Sequence, residues 1–191
     1  MPMRNAPGLT VLLALLLVSG CAELVIGGAA ITGGVVATDR RTVGTITEDQ
    51  GIEFKASSRI GERFRDGVHV NVTSYNRIVL LTGEVPDAAT RSEIERIVRG
   101  VENVRGVHNE LAVAGVSSLT ARANDTLITS KVKARFVDAQ KFNPIHVKVV
   151  TEAGVVYLLG LVHRQEAAEA TEIARTTSGV QKVVRVFEYL D

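Results

Sequence analysis

Tryptophan is absent and aromatic residues make up 4% of the chain, so any core must be built mainly from Val, Ile, Leu and Ala. A single cysteine, Cys21, excludes an intramolecular disulfide. An excess of one charge is also missing: 22 Lys and Arg face 21 Asp and Glu, for a formal net charge of +1. Without a basic field, nucleic acid is not an expected partner. The chain contains no Gly-x-Ser-x-Gly, no P-loop and no His-Glu-x-x-His. A non-enzymatic protein is therefore expected, with no catalytic residue and no cofactor.

What the amino terminus does contain is more specific. Arg4 precedes an apolar stretch, Leu9 to Val18, which is too short to span a bilayer core of roughly 30 Å. Ser19-Gly20-Cys21 follows. The pattern resembles a bacterial lipoprotein signal peptide, which implies removal of residues 1–20 and acylation of Cys21. Loss of Arg4 would leave 21 basic and 21 acidic side chains. Multiple acyl chains on Cys21 exceed what stable anchoring requires. Ala22 stands where an Asp would retain a lipoprotein in the inner membrane. The resemblance thus implies an outer-membrane, periplasm-facing, lipid-anchored protein. Residues 21–47, rich in Gly, Ala, Val and Thr, read as the lipidated Cys and a flexible tether.

The rest of the chain repeats itself. His69 to Gly83 and His146 to Gly160 share His69/His146, Val70/Val147, Val72/Val149, Val79/Val156, Leu81/Leu158 and Gly83/Gly160. Such spaced identity indicates duplication. Each copy reads as two strands about a tight turn, the second turning at Glu152-Ala153-Gly154. Ahead of the first hairpin, Ile52, Ala56 and Ile60 fit one helix face; ahead of the second, Ile128, Val132 and Phe136 do the same. Asn124-Asp125-Thr126 offers N-caps for the latter helix. Behind the hairpins come helices opened by Pro86-Asp87 and spanning Glu166 to Ser178, then strands over 107–113 and 183–189.

The αββαβ order, the Leu-Leu-Thr-Gly and Leu-Leu-Gly hairpin ends, and Gly179-Val180-Gln181-Lys182-Val183 resemble the BON domain. In the first copy Asn103 replaces the Gly of that closing pattern. The resemblance implies an α+β fold of two tandem BON domains, each a three-stranded mixed sheet packed on two helices. The expected boundaries are a first domain at 48–114, a linker at 115–123 and a second domain at 124–191.

His69 and His146 recur at strand starts, but no carboxylate or Cys stands at ligand spacing beside them, so no metal site is expected. The asymmetry between copies says more. On a wheel of about 100° per residue, Leu127 points roughly 140° away from the Ile128–Val132–Phe136 core direction. Lys131, Ala134 and Arg135 surround it. The first copy has Gly51, Lys55, Ser58 and Arg59 there, keeping the charge and lacking the apolar insert. An outward Leu among cations suits docking on an anionic bilayer. BON resemblance implies the same role for the second domain, with Leu127 in place of the family's aromatic at this helix start. Leu127, Lys131, Ala134 and Arg135 are thus the expected contacts with anionic phospholipid of the outer-membrane inner leaflet, in support of envelope integrity. The alternative is an adaptor in which this helix meets an envelope protein.

Overall fold

The computed structural model describes residues 39–191; Cys21, the leader at 1–20 and most of the expected tether lie outside the described residues. Each copy folds in the expected αββαβ order. The first comprises α1 (Val43–Arg63), β1 (His69–Tyr75), β2 (Ile78–Val85), α2 (Ala88–Arg99), β3 (Gly106–Asn109) and β4 (Ala112–Val113). The second comprises α3 (Leu119–Ala139), a 3-10 turn at Pro144–His146, β5 (Val147–Glu152), β6 (Val155–Val162), α4 (Arg164–Arg175) and β7 (Lys182–Tyr189).

Both hairpins turn through two left-handed residues, Asn76-Arg77 in the first and Ala153-Gly154 in the second. Two central residues of positive φ match the right-handed twist of the flanking strands. The antiparallel registers follow, pairing His69 with Glu84 and Val147 with Gly160. Gly83 and Gly160 recur for a steric reason: a Cβ at either would run into the His69 or His146 carbonyl. The last strand of each copy joins the hairpin in parallel, giving β1-β2-β3 (with β4 also on β2) and β5-β6-β7.

The expected helical stripes are buried, and each begins with an unexpected residue. Asp49 precedes Ile52, Ala56 and Ile60; Asp125 precedes Ile128, Val132 and Phe136. Neither Asp serves its own helix end. Asp49 accepts the amides of Asn76 (2.9 Å) and Arg77 (2.7 Å), and Asp125 those of Ala153 (2.9 Å) and Gly154 (2.8 Å). Each thus satisfies turn amides that strand pairing leaves free. The expected N-cap at 124–126 is therefore corrected: Ser118 caps α3 by accepting from Ala121 N, and the linker expected at 115–123 gives way to helix at Leu119. Likewise Thr42 caps α1, so helix starts at Val43, inside the segment expected to be tether through residue 47. The strand expected at 107–113 is interrupted, with Leu111 turned into the core and Leu111 N donating to the Asn109 side chain.

Strand alternation then assigns the two faces of each sheet. Val79, Leu81 and Val85 face α1 and α2, while Val156, Leu158 and Val162 face α3 and α4. On the opposite faces, Tyr75 and Leu80 of the first copy pack with Tyr157, Leu159 and Val186 of the second. The layers run helices, sheet, sheet, helices. Because the copies share this central layer, urea should unfold residues 39–191 in one transition. Leu80→Ala, at a side chain with no exposure, should lower stability by about 2–5 kcal/mol. Two separated transitions would contradict a shared core.

Candidate functional site

The sheet faces are occupied, so the outer faces of the helices carry the free surface. α3 is apolar on both sides: its inner stripe is buried, yet Leu119 is 81%, Leu127 60% and Val137 60% exposed. Lys131, Lys133 and Ala134 are exposed alongside them. Neither lysine forms an ion pair among the described residues, and Asp138 is the acid near the far end of this face. Continuing the wheel backward puts Leu119 and Val137 at one angle, about 80° from Leu127. Leu119 was missed because α3 begins earlier than Asn124; Val137 lay within the expected helix and joins the stripe through its shared angle with Leu119.

Of the four side chains expected here, Leu127, Lys131 and Ala134 share the exposed face. Arg135 does not. Its Nη1 donates to the Ile173 carbonyl (2.8 Å) and Thr177 Oγ1 (2.7 Å) at the end of α4. A cation suits that helix end, where carbonyls lack partners. Arg135 therefore holds the two helices of the second copy together. The first copy carries an outward apolar residue at a different position, Phe54 of α1, which is 76% exposed.

The seam between the sheets has a polar rim. Lys148 pairs with Glu53 (2.9 Å), Asn76 donates to Glu188 (2.8 Å), and Tyr75 Oη donates to the His146 carbonyl (3.4 Å). The segment before α1 crosses this rim. Arg40 makes a two-pronged ion pair with Glu166 (2.6 and 2.8 Å) and donates to the Leu161 carbonyl (2.7 Å) in the second copy. Arg41 pairs with Asp39 (2.8 Å) and Asp49 (2.9 Å) and lies 3.9 Å over the Tyr75 ring. Burial works against the Arg41 charge, but Asp39 and Asp49 outweigh it and raise its pKa. Residues 39–41 are thus a staple across both copies.

At another edge, His69 meets two carboxylates. Its Nδ1 lies 3.1 Å from Glu84 Oε2, across the hairpin, and 3.9 Å from Glu152 Oε1, on the second copy. The expectation that no carboxylate stands beside His69 is corrected: strand register supplies one and sheet packing the other. Burial would raise the Glu84 pKa, but the Ser117 amide and the His69 ring hold it below the usual value. A cavity of about 410 Å3 opens beside the cluster, lined by His69, Glu152, Asn71, Thr129 and Lys133 among others.

Comparison with known proteins matches the BON domain family model at residues 48–115 and 124–191. The outer membrane lipoprotein DolP of Haemophilus influenzae is 40% identical over 181 residues, covering 93% of each chain. The osmotically-inducible protein Y of Escherichia coli is 31% identical over 79% of this chain and 77% of its own. A 21 kDa hemolysin of Actinobacillus pleuropneumoniae is 29% identical over 80% and 79%.

The staple yields a pH prediction. Burial would raise the Glu166 pKa, but Arg40, the His163 amide and His146 lower it from 4.5 to about 2. A depressed carboxylate stabilises the fold above its unfolded pKa and loses that contribution as pH falls through the folded one. Arg40→Met should therefore destabilise the chain at pH 7 and have little effect near pH 2, by urea unfolding at each pH. Equal losses at both would show that Arg40 acts through the Leu161 carbonyl and packing rather than through Glu166.

Proposed function

The chain belongs to the BON-domain family, and we propose that it is an outer-membrane lipoprotein facing the periplasm. In this reading Cys21 is the acylated anchor, and the second BON domain docks on anionic phospholipid through the outer face of α3, supporting envelope integrity. The Haemophilus influenzae relative, an outer membrane lipoprotein by name, supports the location. The observation that carries the docking reading is the exposed Leu119–Leu127–Val137 stripe with Lys131 and Lys133 beside it. Apolar side chains would bury in the acyl boundary while each lysine gains about 1 kcal/mol near an anionic surface. Arg135 is left out of the contact set, because its guanidinium is held by α4.

An adaptor reading draws its support from Phe54, whose exposure on α1 offers a separate apolar contact on the first domain. Vesicle co-sedimentation of residues 39–191 separates the two. Binding to anionic but not zwitterionic vesicles is expected, weakening as salt rises. Lys131→Glu with Lys133→Glu should reduce it by at least about tenfold, two lysines at about 1 kcal/mol each. Leu127→Asp should abolish it, and Phe54→Ala should leave it unchanged. Absence of binding to anionic vesicles would overturn the lipid reading and leave the adaptor.

A further inference from the structure

We propose that His69, Glu84 and Glu152 form a divalent transition-metal site that clamps the two BON domains together. The three donor atoms, one imidazole nitrogen and two carboxylate oxygens, all lie within 4.8 Å of one another. A cation about 2.0–2.2 Å from each would set tetrahedral donors roughly 3.3–3.6 Å apart. The observed His69 separations of 3.1 and 3.9 Å bracket that range.

Charge argues in the same direction. Glu84 and Glu152 are buried and His69 half-buried, so two carboxylates share one imidazole; Lys133 lines the adjoining cavity but makes no ion pair with the trio among the described residues. The other donors to the carboxylates are neutral: Ser117 N to Glu84 (3.1 Å) and Asn71 Nδ2 to Glu152 (2.8 Å). Arg122, which lines the adjoining cavity, is committed to the Ser117 carbonyl and hydroxyl (3.1 Å each). Buried negative charge of this kind is stable when a cation shares it. Asn71 and Ser117 would then orient the carboxylates as outer partners of the metal.

A second observation lies one row along the same sheet face. Thr82 pairs across the hairpin with Asn71, two residues from Glu84, and its buried hydroxyl has no hydrogen-bond partner. The region therefore has unmet polar capacity beyond the trio. The adjoining cavity gives room for water at an open coordination position. One nitrogen and two oxygens suit Zn2+ or a similar first-row ion; Ca2+ would need six to eight oxygens. His69 and Glu84 come from the first domain and Glu152 from the second, so binding free energy would act on their association.

The test uses residues 39–191, which form a compact unit and omit the Cys21 thiol as a competing ligand. After chelator treatment, Zn2+ titration by calorimetry should give one ion per chain and raise the unfolding midpoint. Co2+ should give the visible absorption of a four- or five-coordinate site with nitrogen and oxygen donors. His69→Ala and the isosteric Glu152→Gln should each weaken binding by about tenfold or more. His163→Ala, at an exposed histidine beside Asp191, should change nothing. No stoichiometric binding, or binding that survives both His69→Ala and Glu152→Gln, would overturn the proposal. Should a variant fold poorly by circular dichroism, the Co2+ spectrum of the unaltered chain decides: octahedral, water-like bands would equally overturn it.

Discussion

Burial of both faces of both sheets is the constraint from which the remaining features follow. A three-stranded sheet with helices on one side leaves its other side exposed. Here that side carries Tyr75 and Leu80 in one domain and Tyr157, Leu159 and Val186 in the other. Exposed as separate domains, these would form apolar patches; packed together they make a third core between two conventional ones. The consequence for function is directional. With the sheets turned inward, the helices present the broadest outer faces, and α3 has the more extensive apolar one.

The seam concentrates the polar chemistry of the molecule. Its apolar centre is bordered by ion pairs, by the Asp39–Arg41 staple and by the His69 cluster. Lys148–Glu53, Arg40–Glu166 and His69–Glu152 each join the two copies, and these contacts would be lost if the sheets separated. Arg40 and Arg41 couple the segment leading toward the amino terminus to this seam.

Much of the fold was legible because its signals are local. The duplicated hairpins, the Ile52–Ala56–Ile60 and Ile128–Val132–Phe136 stripes, and the αββαβ order all rest on residue spacing. Asp125 misled because Asn-Asp-Thr also suits a helix start. The clue lay in the repeat itself, since Asp49 and Asp125 each stand three residues before the first buried Ile. His69 opposite Glu84 follows from counting outward from the Asn76-Arg77 turn. Glu152 does not, because its approach depends on how the domains pack. Arg135 shows the same limit: a helical wheel gives its direction but cannot reveal that α4 ends within reach of its guanidinium. Tertiary neighbours decided both.

The central claim is that the sheets stay closed while α3 meets the membrane. The most direct measurement is paramagnetic broadening of the amide resonances of residues 39–191 on anionic nanodiscs carrying a spin-labelled lipid headgroup. Broadening confined to the outer face of α3, at Leu119, Leu127, Ala134 and Val137, with Leu80 and Tyr157 unaffected, is the predicted result. Broadening at Leu80 and Tyr157, or centred instead on Phe54 of α1, would contradict the account.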